Sequence, residues 1–370
     1  MRILVVEPFH GGSHRQFWEG FQGNSRHEVR ILSLAPFHWK WRMRGGAISL
    51  AHRLEEDPLP ADLLFCSDYL AVTDFLCLAP PGYRDLPVAL YMHENQLTYP
   101  VAPGERLDYH FGITNLVSCL ASDRVYFNSP YHRDEFFEEL PRFVKRFPDY
   151  LPRFAAGRIR GKSEVLTLAC DLASLDAGRE RGLSLRQSAG APIVLWNHRW
   201  EFDKNPEDFF QTLFRLREEG IDFRLIVAGG RSTRWPAVFD EALDRLKDQI
   251  LSFGPLPSGA EYAAALWAAD VAVSTSDHDF FGVAVIEAMY CGCYPVLPNR
   301  LSYPEHIPGE LRGRHLYLHR DNLRTKLRAL LRNCPIEPDP ALREAAAQHD
   351  WSRRIDDYDE RLEELRRSST

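Results

Sequence analysis

The stretch SDHDFFGVAVIEAMYCGCYPVLPNRLSYPE, from Ser276 to Glu305, places an acid, a Phe-Phe-Gly turn and a second acid ahead of a short apolar strand. Asp279 precedes the turn, and Glu287 follows eight positions later on a helix that Gly282 is predicted to open. The N-terminus of a helix carries free N–H groups and the positive end of the helix dipole, which suit a diphosphate. Glu287 would then accept hydrogen bonds from ribose hydroxyls. The alternative is that both acids are solvated and Gly282 only caps a turn.

Short β-rich runs alternate with helix-length segments along the whole chain, which predicts parallel sheets covered by helices on both faces. The runs that read as strands are RILVV, VRILSL, DLLFCS, PVALYMH, RVYFNS and SEVLTL, then PIVLWNH, FRLIVAG, ILSFGPL, DVAVSTS, CYPVLP and RHLYLH. The simplest architecture is two doubly wound α/β domains, 1–180 and 181–350, with a helix over 351–370 that packs across their joint. Ligands bind at the carboxyl ends of such strands, so two facing domains imply a cleft.

Composition excludes several classes of protein. Hydrophobic residues at 45% and charged residues at 26% of 370 residues are ordinary globular values. A net charge of −7 argues against nonspecific coating of nucleic acid. Seven scattered cysteines without a CxxC pair indicate neither a disulfide framework nor a zinc site. The apolar run before Glu7 is too short for a signal peptide, so we expect a cytoplasmic protein without membrane contact.

Two cations follow the first strand of the second domain. In WNHRWEFDKNPEDFF the strand ends at Asn197, and Arg199 and Lys204 come next. Taken alone, an Arg and a Lys in a loop are usually only surface charges.

The first domain offers a glycine turn and a histidine at predicted strand ends. Gly11, Gly12 and Ser13 follow the first strand, and glycines there allow close backbone approach to a ligand. The spacing is not GxGxxG, which disfavours a dehydrogenase. His93 and Asn95 follow the strand Val88–Tyr91. A histidine in this position is either a core residue or a ligand contact.

The segment PFHWKWRMRGG, Pro36 to Gly46, combines aromatic and basic residues. The apolar Phe37, Trp39, Trp41 and Met43 alternate with His38, Lys40, Arg42 and Arg44, which predicts a strand with one apolar and one basic face. Either it is a packed strand with a solvated basic face, or it contacts nucleic acid through phosphates and stacked bases. A second basic cluster between Arg142 and Lys162 includes Arg146 and Arg160, and its alternative is a solvated loop.

The string around Glu287 resembles the retaining glycosyltransferases of family four, which have the GT-B fold, two Rossmann-like domains facing across a cleft. The likeness rests on Phe281-Gly282, on Glu287-Ala288-Met289 and on Gly292, Pro295 and Val296, with Asp279 where the first acid is usually Glu. The resemblance implies catalytic roles for His93, Arg199, Lys204 and Glu287, and no required metal or other cofactor. It implies that the donor nucleotide sugar binds to Gly11, Gly12, Ser13, Gly254, Leu256, Asp279, Phe281, Gly282, Val283 and Glu287.

A longer set of strings resembles the tRNA-queuosine mannosyltransferase family. They are EPFHGGSH, FHWKWRMR, YMHENQLTYP, FNSPYHRDEFF, HRWEFDKNPEDFF, FFGVAVIEAMYCGCYP and SYPE, in this order. The resemblance implies transfer of mannose from GDP-mannose to the cyclopentenediol of queuosine in the anticodon of tRNA-Asp. The first domain would then face the acceptor and the second would bind the nucleotide sugar. The acceptor tRNA would contact Trp39, Lys40, Trp41, Arg42, Arg44, Asn95, Arg146 and Arg160.

Two other functions stay open at this point. A GT-B enzyme that glycosylates a lipid, a glycan or a small molecule predicts turnover of the nucleotide sugar without tRNA. A nucleotide-sugar-binding protein without catalysis is suggested by Asp279, and the presence of Arg199, Lys204, Glu287 and His93 argues against it.

Overall fold

The computed structural model describes residues 1–102, 104–230 and 235–368. The chain forms two compact units, and the boundary lies between Cys170 and Asp171 rather than after residue 180. The first unit comprises Met1–Cys170 and the C-terminal segment from Trp351, and the second comprises Asp171–Asp350. Residues 369 and 370 of the expected C-terminal helix lie outside the described residues. All seven cysteines are free thiols.

The first unit is built on a parallel six-stranded sheet with the strand order β2-β1-β3-β4-β5-β6. Its strands are β1 (Arg2–Glu7), β2 (Glu28–Ser33), β3 (Leu63–Ser67), β4 (Val88–Met92), β5 (Arg124–Phe127) and β6 (Ser163–Val165). Every residue of β3 and β4 is buried, as expected for central strands of a parallel sheet with both faces covered. The helices before the domain boundary are α1 (Gly12–Asn24), α2 (Trp39–Glu56), α3 (Val72–Leu78), α4 (Pro81–Arg84), α5 (Tyr109–Ala121), α6 (Pro130–Val144) and α7 (Ala155–Arg160).

The prediction of a strand at Pro36–Gly46 is wrong, because this segment leads into helix α2, which begins at Trp39. The residues that α2 buries include Met43, Ala47, Leu50 and Leu54, which recur at helical spacing. Apolar and basic residues alternate only over the eight positions from 37 to 44, which taken alone fit a strand. The buried residues after them recur at helical spacing and therefore indicate a helix. The aromatic side chains do not form one packed face, since Phe37 and Trp41 are 62% and 63% exposed.

The second unit contains another parallel six-stranded sheet, with the strand order β12-β11-β10-β7-β8-β9. Its strands are β7 (Ile193–Trp196), β8 (Arg224–Ala228), β9 (Ile250–Gly254), β10 (Val271–Val273), β11 (Tyr294–Pro298) and β12 (Leu316–Tyr317). Its helices are α8 (Arg179–Ser188), α9 (Pro206–Glu218), α10 (Val238–Arg245), α11 (Gly259–Ala268), α12 (Val283–Tyr290), α13 (Tyr303–His306), α14 (Arg312–His315), α15 (Arg320–Arg332) and α16 (Pro340–Ala347). Short 3-10 turns lie at Ala173–Gly178, Phe202–Lys204 and Gly309–Leu311.

The last helix, α17 (Trp351–Ser368), returns to the first unit and packs on α1. Trp351 contacts Phe17 at 5.4 Å between ring centroids, and the hydroxyls of Tyr358 and Tyr91 lie 3.1 Å apart. Within the described ranges, no helix has both the length and the apolar character that a membrane crossing requires. The predicted pair of doubly wound domains is confirmed, and all twelve predicted strand runs form strands.

Candidate active site

The residues predicted for the second domain lie beyond the carboxyl ends of neighbouring strands. Asn197 and Arg199 follow β7, Gly254 ends β9, and Asp279 belongs to the loop after β10. Leu256, half-buried, lies between β9 and α11. Because β7, β8, β9 and β10 are parallel, these positions share one edge of the sheet.

Gly282 caps helix α12 in a conformation that other residues rarely adopt. Its φ is +91°, and a Cβ at this position would lie 2.9 Å from the Tyr303 ring. The preceding carbonyl, that of Phe281, accepts hydrogen bonds from Ser302 Oγ and His306 Nε2. The turn is therefore held by two side chains. The N–H groups of Val283 and Ala284, at the start of α12, are available to an anion, whereas those of Val285 and Ile286 donate to the carbonyl of Gly282.

Glu287, on α12, is oriented by a tyrosine that sequence reasoning missed. Tyr262 of α11 donates a 2.5 Å hydrogen bond to Oε2 of Glu287. Tyr262 itself accepts from Asn197 Nδ2 at 3.1 Å, and the same amide donates to the carbonyl of Ala284. Burial raises the pKa of Glu287 to about 7, and the Tyr262 hydrogen bond opposes that rise.

Lys204 is buried and surrounded by acceptors. Its ammonium donates to the carbonyl of His278 at 2.6 Å and lies 3.1 Å from Asp203 and 3.9 Å from Asp279. Asp279 also accepts from the Tyr303 hydroxyl at 3.1 Å. Although burial opposes ionisation, Lys204 lowers the pKa of Asp279 below its ordinary value. The structure thus brings Lys204 and Asp279 together as an ion pair beside the start of α12.

The other cation, Arg199, has a largely exposed side chain and lies 3.2 Å from Glu201. The buried histidines His198 and His278 lie nearby. Burial, followed by the charge of Lys204, lowers the pKa of each to about 4. At neutral pH neither histidine adds a positive charge to those of Lys204 and Arg199 at this edge.

In the first unit the glycine turn opens helix α1. Gly11 is the N-cap, Gly12 follows with φ +53°, and Gly12 and Ser13 are exposed. The next residue, His14, is buried and donates from Nδ1 to Oε2 of Glu7 at 2.9 Å. Glu7 closes β1 and is completely buried.

His93 lies against His14. The two imidazole rings are stacked, with centroids 4.1 Å apart and an interplanar angle of 26°. The backbone N–H of His93 donates to Asp68 Oδ1 at 2.9 Å, and its carbonyl accepts from Asn128 Nδ2 at 2.8 Å. Burial and the charge of His14 lower the pKa of His93 well below its ordinary value. His93 is therefore a neutral imidazole on a rigid loop.

Asn95 is completely buried within the same loop. Its side-chain oxygen accepts from the backbone N–H groups of Leu97 and Thr98 and from the Thr98 hydroxyl, at 3.0 to 3.2 Å. These hydrogen bonds stabilise the turn that follows His93, so Asn95 has a structural role in this loop.

Glu7, His14 and His93 form a cluster whose candidate ligand atoms lie within 4.8 Å of one another. Two observations disfavour a cation there. Glu7 already accepts hydrogen bonds from His14, from the Trp18 indole and from the Phe9 amide. The stacked rings of His14 and His93 direct their lone pairs along nearly parallel planes, whereas zinc needs nitrogens about 2 Å from one point.

The predicted acceptor residues on α2 differ in their surroundings. Trp39 packs against Phe111 at 5.2 Å between ring centroids, and Lys40 pairs with Glu105 at 3.1 Å. Trp41 is exposed. No described carboxylate lies within 4 Å of Arg42 or Arg44, which instead contact the Ala35 carbonyl and the Phe111 ring.

In the second basic cluster, the two predicted residues have intramolecular partners. Arg146 pairs with Glu139 at 3.0 Å, and Arg160 lies 4.2 Å above the centroid of Phe137. Among the residues that the structure covers, five cations of this cluster lack a carboxylate partner within 4 Å, namely Lys145, Arg153, Arg158, Arg160 and Lys162. Arg160 is engaged by its ring contact and Lys162 donates to the carbonyls of Leu120 and Ser122, which leaves Lys145, Arg153 and Arg158. Tyr150 and Phe154 between them are 96% and 62% exposed.

Several site residues escaped the sequence analysis. Glu7 had a usable signal, because a glutamate that directly follows the buried apolar run 3–6 needs a partner, and His14 lies seven positions later. No sequence signal marks Tyr262 or Tyr303, because their partners Glu287 and Asp279 are 25 and 24 residues away along the chain.

Two family descriptions match adjoining parts of the chain. One, "tRNA-queuosine alpha-mannosyltransferase N-terminal", covers residues 2–170, and the other, "Glycosyl transferases group 1", covers residues 184–348. A relative from Drosophila melanogaster, named tRNA-queuosine alpha-mannosyltransferase, is 35% identical over 315 residues, which is 83% of this chain and 82% of the relative.

Solved structures share the fold at low sequence identity. Sucrose-phosphate synthase from Thermosynechococcus elongatus matches with a TM-score of 0.76 and 14% identity, over 100% of both chains. An alpha,alpha-trehalose-phosphate synthase from Burkholderia vietnamiensis matches with a TM-score of 0.71 and 14% identity, over 100% of this chain and 98% of that one. These likenesses show the GT-B fold.

Proposed function

The chain belongs to the tRNA-queuosine alpha-mannosyltransferase family, and from this premise we propose that it transfers mannose from GDP-mannose to the cyclopentenediol of queuosine in the anticodon of tRNA-Asp. The observation that carries the proposal is 35% identity over 83% of the chain. The aligned part is 83% of the chain, which is more than either unit comprises. The likeness therefore extends beyond the second unit, which matches a description shared by glycosyltransferases with other acceptors.

The donor binds at the carboxyl edge of the second sheet. The N-terminus of α12, at Gly282 and Val283, takes the diphosphate, and Glu287 accepts from the ribose hydroxyls. The backbone from Gly254 to Leu256 reads the base. Phe281 supports the turn that positions these groups, since two side chains hold its carbonyl.

Arg199 and Lys204 stabilise the charge that develops on the departing diphosphate. Lys204 is held in place by Asp203, Asp279 and the carbonyl of His278 before any ligand arrives. A preorganised cation needs little rearrangement as the glycosidic bond breaks, which is the basis of its effect on the rate. Asp279 orients the ammonium group of Lys204, which lies 3.9 Å from its carboxylate, so the shorter aspartate side chain is sufficient for this role.

The transferred sugar lies beside His93 and the turn formed by Gly11, Gly12 and Ser13. A neutral imidazole both donates and accepts hydrogen bonds, which suits a sugar hydroxyl. The acceptor hydroxyl attacks the anomeric carbon on the face from which the diphosphate leaves, and the phosphate oxygen takes its proton.

The tRNA binds through two exposed surfaces of the first unit. We call them the α2 surface (Phe37, Trp41, Arg42 and Arg44) and the 145–158 surface (Lys145, Tyr150, Arg153, Phe154 and Arg158). Both combine exposed aromatic rings with cations that lack a carboxylate partner within 4 Å in the described chain. Rings of this kind stack on unpaired bases, and the cations meet phosphates. Trp39, Lys40, Arg146 and Arg160 support these surfaces from beneath or beside them.

The reaction proceeds in the cytoplasm and needs no divalent metal. No metal is needed because Arg199, Lys204 and the start of α12 neutralise the charge of the leaving group. Addition of EDTA should therefore leave the transfer rate unchanged, and a loss restored by Mn²⁺ or Mg²⁺ would contradict this.

The decisive experiment supplies radiolabelled GDP-mannose with tRNA from cells that make queuosine or from cells that do not. Label should enter only the queuosine-containing pool, in tRNA-Asp. Equal labelling of both pools would reject queuosine as the acceptor. Turnover of GDP-mannose without labelled tRNA would indicate a lipid, glycan or small-molecule acceptor, and no turnover would favour a binding protein. UDP-glucose in a parallel reaction tests the choice of donor.

A further inference from the structure

A buried ion pair lies behind His93 at the edge of the first sheet. Glu7 accepts three hydrogen bonds, from His14 Nδ1 at 2.9 Å, Trp18 Nε1 at 2.8 Å and the Phe9 N–H at 2.7 Å. Three donors leave this carboxylate with a single orientation. Burial alone would raise its pKa, but His14 and the Phe9 amide bring the pKa of Glu7 down to about 2.

His14 is held between this carboxylate and His93. Its ring stacks on His93 at 4.1 Å and meets Tyr69 edge-on at 5.1 Å. A buried cation is costly without a partner, and Glu7 supplies one. Burial opposes the charge, yet Glu7 raises the pKa of His14 to about 9.

From this arrangement we propose that Glu7 and His14 are a positioning pair, which fixes the orientation and the hydrogen-bonding state of the His93 ring. The pair touches no substrate in this scheme and acts through His93. The inference rests on the proposed place of His93 beside the transferred sugar.

The mechanism is electrostatic and steric. The flat contact with His14 fixes the plane of the His93 ring, and the positive charge of His14 disfavours a second cation 4.1 Å away. His93 therefore keeps one nitrogen as an acceptor for a hydroxyl proton. The charged and titratable groups around His14 are Glu7 at the end of β1, Asp68 and Tyr69 after β3, and His93 and Glu94 after β4. Asp68 Oδ1 also lies 3.3 Å from Nδ1 of His93. Burial raises the pKa of Asp68, so Glu7 is the firm counter-charge.

The test compares E7Q and H14F with the wild type, using the full chain and queuosine-containing tRNA. Glu7→Gln keeps the shape but removes the counter-charge that holds the proton of His14. As the pH falls, His93 can then take up a proton that the charge of His14 excludes in the wild type, so kcat of E7Q should be near the wild-type value at pH 8 and fall at least tenfold below it at pH 6. His14→Phe keeps the ring contact without the charge, and its kcat should fall in the same way as the pH is lowered. Binding of GDP to the second unit should be unchanged in both variants, and an unchanged circular-dichroism spectrum and thermal unfolding curve report on folding of the first unit.

Glu19→Gln serves as the control, because Glu19 also lies on α1 but is exposed and pairs with Arg15. E19Q should follow the wild-type pH profile. A kcat profile of E7Q that runs parallel to the wild type between pH 6 and 8 would reduce the pair to a packing role and overturn the proposal.

A second measurement needs no substrate. Ring-nitrogen NMR of the wild type should show both nitrogens of His14 protonated up to pH 8, with the H14F variant supplying the assignment. A His14 that titrates near its ordinary pKa would overturn the pair even if transfer proceeds. Absence of mannose transfer by the wild type would overturn the proposed function alone, since the NMR result on the pair would stand.

Discussion

Tyr262 holds the carboxylate of Glu287 with a 2.5 Å hydrogen bond that links helices α11 and α12. The tyrosine hydroxyl is itself fixed by Asn197, at the end of β7. Three elements of the second unit thus converge on one carboxylate. The orientation of Glu287 depends on this chain, because α12 buries mainly apolar side chains around it.

Tyr262→Phe should weaken donor binding most strongly near neutral pH. The lost hydrogen bond lowers the pKa of Glu287 in the wild type, so its removal raises that pKa further above about 7. Fewer molecules then carry an ionised Glu287, and KM for the donor should rise roughly tenfold at pH 7. The defect should shrink towards pH 9, where the carboxylate ionises again, as measured by steady-state kinetics across this range.

Tyr290→Phe is the matched control for that variant. Tyr290 lies on the same helix and donates a 3.0 Å hydrogen bond to a different carboxylate, Asp176. Its loss should leave donor KM unchanged. A Y262F defect of equal size at pH 7 and pH 9 would show that the hydrogen bond does not act through ionisation of Glu287.

Glu287→Gln should abolish most activity while stabilising the protein at alkaline pH. The folded state raises the pKa of Glu287 from 4.5 to about 7, so it favours the protonated form. The contribution of this group to stability is complete below pH 4.5 and is lost as pH rises through 7. The neutral amide of the E287Q variant carries no such penalty, and we expect Tm at pH 8 to rise by roughly 2–4 °C, with a smaller gain at pH 5. Asp244→Asn, at an exposed carboxylate, should leave Tm unaltered, and an E287Q variant less stable than the wild type at pH 8 would refute the expectation.

Lys204→Ala should lower kcat by about a hundredfold or more, because one well-placed donor to a developing anion contributes on that order. The exposed Lys247 provides a control, and K247A should behave as the wild type. Single-turnover measurements separate this effect from product release. A K204A variant with normal kcat would assign the lysine to the ion pair with Asp203 and Asp279 alone.

The strand pattern and the strand ends were predictable from the sequence because buried parallel strands are continuous apolar runs. Residues that directly follow such runs, such as His93 and Asn197, must lie at the carboxyl edge. The family resemblance then supplied roles that spacing does not contain.

Other features depend on contacts that no local pattern encodes. Whether the residues from Trp39 onward form a strand or a helix is decided by Ala47, Leu50 and Leu54, which lie beyond the alternating stretch. The contact of Arg160 with Phe137 depends on how α6 and α7 lie together, whereas Arg146 pairs with Glu139 at the C-terminal end of α6. The sequence shows how many basic residues the segment contains but not which of them have partners. The prediction therefore chose Arg146 and Arg160, which contact other side chains of the same unit.

Gly282→Ala should destabilise the second unit. A φ of +91° is strained for any residue with a Cβ, and the new atom would lie 2.9 Å from the Tyr303 ring. We expect a loss of about 1–3 kcal/mol in the free energy of unfolding, measured with denaturant. Gly259→Ala is the control, since Gly259 starts helix α11 with open space around it and should tolerate alanine. Equal stability of the two variants would show that the turn before α12 relaxes freely.

Arg42→Ala combined with Arg44→Ala should weaken tRNA binding and reduce its dependence on salt. Each phosphate contact contributes about 0.7–0.9 to the slope of log K against log salt, so the double variant should lose about 1.5 units of slope. Lys40→Ala is the control on the same helix, because Lys40 already pairs with Glu105 and should contribute less. Trp41→Ala should weaken binding by roughly 1–3 kcal/mol without altering the slope, since stacking on a base releases no counterions. If the arginine pair can be removed with no change in affinity at low salt, the exposed face of α2 is not where the tRNA binds.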